Sequence, residues 1–203
     1  MKEIMNMKLK TSILTIALIL GVSTNISAQP GAIKKAADAA FTLTTFKADG
    51  SILATSNGVC ISTDGVAVSP WKPFIGADKA VIIDAKGQKH EVDCLLGVNE
   101  IYDIVKFQVS GKTIAAPLVT TVSVGDEAWI TPMPKSGNAE KADVSSVEKF
   151  MDKYNYTILK SSATDKLNGA PVFNAKGQVI GLFSSAGESQ SSTDANYAKD
   201  FVV

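Results

Sequence analysis

Short apolar segments separated by glycine turns are the feature that most constrains the fold of this chain. The segments are rich in β-branched and aromatic residues, as in Phe41–Phe46 and Ile104–Val109, which is typical of β-strands. Pairs such as Asp64-Gly65 provide tight turns between them, and no long stretch has helical periodicity. The pattern predicts an all-β fold, built as an antiparallel barrel or a sandwich.

The predicted strands follow one another at short spacing from residue 41 onwards. They are Phe41–Phe46, Ser51–Thr55, Gly58–Ser62, Val66–Ser69, Ala80–Ile83, His90–Leu96, Ile104–Val109, Leu118–Val122, Glu127–Thr131, Asp143–Glu148, Tyr156–Ser161, Val172–Asn174, Val179–Phe183 and Asn196–Val203. Residues 30–40 are compatible with a helix, and residues 135–142 are predicted to form a polar loop.

The N-terminus has the three parts of a secretory signal peptide. Lysines make its first ten residues basic, Ser12–Val22 is an apolar core too short to span a bilayer comfortably, and Ala28 is a small residue at the expected cleavage site. We therefore predict a signal peptide at residues 1–28 and a folded domain at residues 29–203, exported to the periplasm or secreted. An uncleaved anchor is the alternative, and after cleavage we expect no membrane attachment.

Charge and composition argue against nucleic acid, a metal or a cofactor as a partner. Removal of the leader leaves 17 lysines against 19 acidic residues, a net charge of −2, and the chain contains no arginine. Arginine is the preferred side chain for bidentate phosphate contacts, so its absence argues against a nucleic-acid partner. Two cysteines and one histidine cannot form a closed zinc site without carboxylates, and we predict neither a metal nor a cofactor.

The two cysteines, Cys60 and Cys94, leave two interpretations open. In an exported chain they could form a disulfide bond, because that environment is oxidising. Alternatively, each is a small buried hydrophobic residue within its own strand. The single histidine, His90, is predicted to be an ordinary strand residue, because four residues of strand separate it from Cys94 by roughly 13 Å, too far for direct proton transfer.

The segment Lys166–Gly181 contains the most specific arrangement of residues. Asn168-Gly169 forms a tight turn, and two short apolar strands follow, separated by a second turn that ends at Gly177. The sequence Lys-Leu-Asn-Gly-Ala-Pro in the first turn resembles the nucleophile turn Gly-Asn-Ser-Gly-Gly-Pro of trypsin-like serine proteases, in the HtrA/Deg branch.

Four other segments resemble the same family in the same order. Residues 56–65 are similar to its Gly-Ser-Gly-Val-Ile-Ile-Ser-x-Asp-Gly, and residues 76–79 are similar to the segment that follows its histidine. Residues 103–107 resemble its Asp-Ile-Ala-Val-Leu, and residues 123–127 resemble its Val-Gly-Asp turn. The resemblance covers nearly all of residues 29–203 and implies two six-stranded antiparallel β-barrels.

The resemblance also implies that the catalytic positions are altered. It places Lys72 where the family has the general-base histidine, Asp103 where it has the orienting aspartate, and Asn168 where it has the nucleophilic serine. An amide is not a useful nucleophile. In the oxyanion hole, the equivalent positions are Lys166 and Asn168. We further expect Lys72 and Asp103 to meet as an ion pair, with the ammonium reaching toward the Asn168 side-chain oxygen.

Three functions remain open at this point. The first is an exported, inactive pseudoprotease that binds an extended peptide or protein partner in the cleft between its barrels. The second is an active serine-type peptidase with a non-standard serine and lysine arrangement, and the third is a structural or assembly module. Serines that could serve the second function, none of them at a tight glycine-flanked turn, are Ser161, Ser162, Ser184 and Ser185.

Overall fold

The computed structural model describes residues 30–119, 121–132, 137–150, 154–185 and 196–199. Within these residues, helix α1 (Gly31–Ala36) continues into a 3₁₀ turn, and twelve strands follow. The strands are β1 (Ala40–Phe46), β2 (Ile52–Cys60), β3 (Val66–Ser69), β4 (Lys79–Asp84), β5 (Lys89–Asn99), β6 (Ile104–Val109), β7 (Glu127–Ile130), β8 (Glu140–Phe150), β9 (Tyr154–Lys160), β10 (Pro171–Asn174), β11 (Val179–Ser185) and β12 (Asn196–Lys199). The 3₁₀ turn after α1 is Ala37–Ala39, and further 3₁₀ turns lie at Lys72–Phe74 and Asp165–Leu167.

The strands close into two six-stranded antiparallel barrels. In the N-terminal barrel the order is β1-β2-β3-β6-β5-β4, and β4 pairs back to β1. In the C-terminal barrel the order is β10-β11-β12-β9-β8-β7, and β7 pairs back to β10. The predicted all-β fold with two six-stranded barrels is therefore confirmed. No helix within the described ranges is long and apolar enough to cross a membrane.

Several predicted element boundaries are wrong. The two strands expected at Ser51–Thr55 and Gly58–Ser62 are the single strand β2. Gly58 does not interrupt it, because glycine is needed there for close packing: a Cβ atom would lie 2.4 Å from the Phe41 ring and 2.5 Å from the Val68 carbonyl oxygen. For the predicted strand Leu118–Val122, in which residue 120 is not described, the described residues form only a bridge from Leu118 to Val179.

One further boundary needs correction, and two predictions reach beyond the described residues. The polar loop predicted at residues 135–142 ends earlier, because β8 already begins at Glu140. The last strand was predicted to extend to Val203, and β12 is described only over Asn196–Lys199. The predicted signal peptide, residues 1–28, lies outside the described residues.

An apolar cluster joins the two barrels to each other and to α1. Ile33 of α1, Ile104 of the N-terminal barrel, and Trp129 and Phe173 of the C-terminal barrel belong to this one buried cluster. Tyr102, fully buried in the turn between β5 and β6, places its ring against that of Tyr156 on β9, with centroids 5.2 Å apart. Burial of this apolar surface holds the barrels in a fixed arrangement.

The two cysteines are free thiols, so the disulfide considered above is not formed. Cys60 on β2 is buried and Cys94 on β5 is exposed, and these strands are not neighbours in the barrel. Cys60 fits the alternative of a small buried residue, and burial raises its pKa to about 11. Cys94 fits neither interpretation, because its side chain faces solvent.

His90 and Asp84 form a nearly buried pair that connects β4 to β5. His90 Nδ1 lies 2.8 Å from the Ser110 carbonyl oxygen, and its Nε2 lies 3.3 Å from Asp84 Oδ2. Burial raises the pKa of the Asp84 carboxyl, but hydrogen bonds from the Gln88 and Lys86 backbone N–H groups and from His90 outweigh it, so that the net pKa is lowered. The ionised form of Asp84 therefore stabilises the fold.

Replacement of Asp84 tests this stabilisation. Asp84→Asn keeps an oxygen acceptor for the backbone but loses the charge, and we expect it to reduce the free energy of unfolding by about 1 kcal/mol at pH 7. Because the folded pKa of Asp84 is lowered, the difference from the wild type is fully present above the unfolded value of about 4 and disappears as the pH falls through the folded pKa. Urea unfolding from pH 7 to pH 3 measures it.

The matched control for this measurement is Glu100→Gln, which removes an exposed carboxylate from the turn after β5. Its effect on the free energy of unfolding should stay within about 0.5 kcal/mol. A loss in Asp84→Asn that persists unchanged at pH 3 would contradict the assignment.

Candidate functional site

A cleft between the barrels brings together the three positions that the sequence analysis singled out. Lys72, Asp103 and Asn168 all line this cavity, which has a volume of about 570 Å³. Its other walls come from both barrels. They are Ser56, Pro70, Pro73 and Ile104 from the N-terminal barrel, and Asp165, Gly169, Leu182, Phe183, Ser184 and Ser185 from the C-terminal barrel.

Asp103 is held at the mouth of the cleft by an unusual backbone conformation. It has φ +55° in the turn between β5 and β6, a left-handed conformation that few side chains other than Asp and Asn tolerate. Its Oδ1 accepts a hydrogen bond from the backbone N–H of Lys72 at 2.8 Å. This hydrogen bond connects the first residue of the 3₁₀ turn Lys72–Phe74 to the turn between β5 and β6.

The predicted ion pair between Lys72 and Asp103 is wrong. Among the described residues, no ion pair within 4.0 Å joins the Lys72 ammonium to the Asp103 carboxylate. The carboxylate contacts the Lys72 backbone instead. Lys72 itself is exposed, so its ammonium stays hydrated and needs no counter-charge, which removes the desolvation argument for pairing.

Asn168 is fixed by hydrogen bonds on three of its atoms. Its backbone N–H donates to the Asp165 carbonyl oxygen at 2.9 Å, closing the 3₁₀ turn Asp165–Leu167. Its carbonyl oxygen accepts from Asn57 Nδ2 at 3.0 Å, and its side-chain Oδ1 accepts from the Ser185 backbone N–H at 2.7 Å. The side chain therefore lies against the end of β11 and not against Lys72.

The two positions that the resemblance equates with the oxyanion hole, Lys166 and Asn168, lie in this turn and directly after it. The Asn168 N–H, one of the two donors that the resemblance implies, is already bonded to a carbonyl oxygen. The Lys166 side chain is exposed and lines an adjoining cavity of about 420 Å³ with Thr42, Thr55 and Asn57 of the N-terminal barrel. A donor that is satisfied within the chain cannot stabilise a developing oxyanion without a rearrangement.

Gly169 allows the turn to approach the N-terminal barrel closely. It has φ +81°, and a Cβ atom there would lie 2.7 Å from the Asn57 carbonyl oxygen and 2.9 Å from the Pro70 ring. A side chain is excluded both by the left-handed backbone and by this contact. Gly169 is therefore required for the contact between Asn57 and Asn168 across the cleft.

The serines considered as alternative nucleophiles fall into two groups. Ser184 and Ser185, at the end of β11, line the cleft with Lys72. Ser161 and Ser162 both donate hydrogen bonds to Glu140 Oε1, at 2.6 and 3.0 Å, and are not among the residues that line the cleft. The described residues contain no group of three or more His, Cys, Asp and Glu side chains that could hold a metal ion.

Asn57 is a site residue that the sequence analysis did not identify. It is only 5% exposed, and its side-chain amide reaches from β2 to the carbonyl of Asn168. The sequence carried no clear signal for it, because Asn57 simply follows two other polar residues of the same strand, Thr55 and Ser56. Buried amides of this kind are retained when they make a specific hydrogen bond.

Comparisons with known proteins find the fold of HtrA-type proteases. No family model matches the sequence, and no curated protein matches it. A structure of the HtrA-type protease AlgW with a tripeptide superimposes with a TM-score of 0.70 at 18% identity, over 83% of this chain and 58% of that one. A serine-to-alanine variant of AlgW with a tripeptide gives the same values.

A third structure supports the same conclusion. The serine endoprotease from Yersinia pestis matches with a TM-score of 0.67 at 16% identity, over 83% of this chain and 61% of that one. The chain thus spans about three fifths of the length of these proteins. At this level of identity the comparisons show the fold, which is the trypsin-like double barrel found in HtrA-type serine proteases.

Substitutions at Asp103 and Lys72 test the contact that replaces the predicted ion pair. Asp103→Ala is expected to lose about 2 kcal/mol of unfolding free energy, because it leaves the Lys72 N–H without its charged acceptor and puts alanine at a positive φ. Asp103→Asn should lose less, since it keeps an oxygen acceptor and tolerates the conformation. Lys72→Met should change stability by less than about 0.5 kcal/mol.

Chemical denaturation of the three single variants and of the double variant with Asp103→Ala and Lys72→Met measures these effects. Additive losses are expected, because the Lys72 side chain takes no part in the contact. A double variant more stable than Asp103→Ala would indicate that the two charges interact after all.

Proposed function

We propose that the chain is an exported pseudoprotease, which binds an extended peptide in the cleft between its barrels without cleaving it. The observation that carries the proposal is that hydrogen bonds within the chain hold Asn168 in place. The residue at the position of the nucleophile has an amide side chain, and its N–H, carbonyl and side-chain oxygen are all engaged within the chain.

The absence of turnover follows from what serine-protease chemistry requires. The reaction needs a hydroxyl nucleophile, a base within hydrogen-bond reach, and free N–H donors for the oxyanion. Asn168 lacks the hydroxyl, and its N–H donates to Asp165. An enzyme that has lost a triad member still accelerates the reaction roughly 10³–10⁴-fold over water, and this residual rate depends on the oxyanion hole and on substrate binding. Here one donor of that hole is occupied as well.

Binding of an extended peptide is supported by the end of β11. Ser185 pairs with Asn196 of β12, whereas the pairing of β11 with β10 ends at Leu182. The Ser185 backbone N–H takes the Asn168 Oδ1 as its acceptor. A carbonyl oxygen of a peptide laid along this edge could replace that side-chain oxygen, as in recognition by strand addition. Apolar Leu182 and Phe183 line the same wall of the cleft.

The structural neighbours support this proposal by analogy of fold. AlgW is described with a tripeptide, and peptide binding is proposed for this chain by analogy with that protein, while the choice of the cleft rests on the Ser185 N–H. Export rests on the leader-like order of residues 1–28, and the folded domain is proposed to comprise residues 29–203.

A second candidate function is favoured by one observation. Ser184, Ser185 and Lys72 line the same cleft, and serine with a lysine base is a known catalytic arrangement. The exposed Lys72 would have to lose its proton to act as a base. A structural or assembly module is the remaining alternative, and it requires no peptide in the cleft.

A peptide-binding experiment tests the proposal. Peptides are selected on the mature protein from a displayed random library, and their affinities are measured by fluorescence anisotropy. Asn168→Ala should tighten binding about threefold to tenfold, because the Ser185 N–H no longer has an internal acceptor. Asn168→Asp is the matched control: it keeps an oxygen acceptor at the same place and should not gain affinity.

The same samples test for turnover. Mass spectrometry should find the selected peptides intact, and a fluorophosphonate probe should leave the protein unlabelled. Cleavage or labelling that is lost in Ser184→Ala or Ser185→Ala would establish the second candidate instead. If no selected peptide binds, or if Asn168→Ala and Asn168→Asp behave alike, the cleft is not the peptide site.

A further inference from the structure

Part of strand β5 in the N-terminal barrel is paired on one side only. It pairs with β4 only at Val81↔Glu91, Ile82↔His90 and Ile83↔Lys89. Beyond Glu91 its pairs are with β6 alone, from Val92 to Asn99. The register of β5 with β6 shifts between Val92 and Cys94 and again between Leu95 and Gly97, and shifts of this kind accompany local bending of a strand. Backbone donors and acceptors along this edge are thus left for another strand.

A groove of about 440 Å³ lies where β5 diverges from β4. Its floor contains Phe74 and Ala80, which are buried, and Val92, which is partly buried. Its β5 side ends at Leu95, whose side chain is 44% exposed. The groove shares no lining residue with the cleft between the barrels. An apolar floor beside an open strand edge is the arrangement used in recognition by strand addition.

The rim of the groove is acidic. Asp78, Glu91 and Asp93 line it, with Lys79 as the one basic residue among those lining residues. Lys79 Nζ lies 2.9 Å from Glu91 Oε1. Among the described residues, Asp78 and Asp93 have no ion-pair partner within 4.0 Å. The rim therefore carries two carboxylates that a basic ligand could neutralise.

We propose that this groove binds an extended peptide in which lysine or arginine alternates with apolar residues. The peptide backbone pairs with the open edge of β5. Because successive side chains of a strand point to opposite sides, its apolar side chains cover Phe74 and Val92, while its basic side chains approach Asp78 and Asp93. Charge selects this ligand over an acidic peptide or a second copy of the chain, whose matching groove is also acidic.

The reactivity of Cys94 can report whether a peptide occupies the groove. It lines the groove, and its side chain is exposed. The only other cysteine of the chain, Cys60, is buried, and burial raises its pKa to about 11. Because the thiolate is the reactive form, a chromogenic disulfide reagent should modify one thiol quickly, and a peptide lying along β5 should slow that reaction.

The experiment titrates the mature protein with an end-blocked seven-residue peptide of alternating valine and lysine, and follows the rate of Cys94 modification. The modification rate is expected to fall as peptide is added and to reach a plateau. The peptide concentration at half of this decrease gives the Kd. The same peptide with glutamate in place of lysine should give no protection. A version with an N-methylated central valine should also fail, because it cannot complete the backbone pairing.

Variants of the rim locate the site. Asp78→Asn and Asp93→Asn should each raise the Kd about threefold to fivefold, the range that an exposed ion pair supports. Glu100→Gln, which removes an exposed carboxylate outside the groove, should leave it unchanged. Equal protection by the lysine and glutamate peptides, no protection by either, or protection that grows with protein concentration without peptide would each overturn the proposal.

Discussion

The approach of the Asn168-Gly169 turn to the N-terminal barrel is the contact on which the state of the cleft depends. It is made by a hydrogen bond from Asn57 to the Asn168 carbonyl and by the fit of Gly169 against Asn57 and Pro70. The hydrogen bonds to the Asp165 carbonyl and from the Ser185 N–H then fix the other two polar groups of Asn168. Opening the turn breaks at least these three hydrogen bonds, each with a net value of about 1 kcal/mol.

This contact also shapes the cleft of the protease-like fold through backbone and side-chain hydrogen bonds. The apolar cluster between the barrels, with Ile33, Tyr102 and Trp129, holds both walls of the cleft in place, and two of its members, Ile104 and Leu182, also line the cleft. Asp103 retains a structural task, because it accepts the Lys72 N–H from a left-handed position. Asp103 and Asn168, which the resemblance places at catalytic positions, therefore have structural contacts that shape the cleft, whether or not a reaction takes place there.

The sequence predicted the fold and the place of the site better than the contacts within it. Strand spacing and the five family-like segments were enough for two barrels and for a cleft containing Lys72, Asp103 and Asn168. An alignment of positions does not give the direction of a side chain, and so the Lys72 and Asp103 ion pair was wrong. The same limit applies to Cys60 and Cys94, since strand patterns do not reveal which strands are neighbours.

The hydrogen bonds that hold Asn168 could not be predicted for a related reason, because they depend on backbone geometry. The 3₁₀ turn at Asp165–Leu167 directs the Asn168 N–H toward the Asp165 carbonyl oxygen. Amide hydrogen exchange measured by NMR on the free protein tests these hydrogen bonds most directly. The account predicts that the N–H groups of Asn168 and Ser185 exchange much more slowly than in an unfolded peptide of the same sequence. Exchange of the Asn168 N–H at the unfolded rate would show an open donor and would contradict the account.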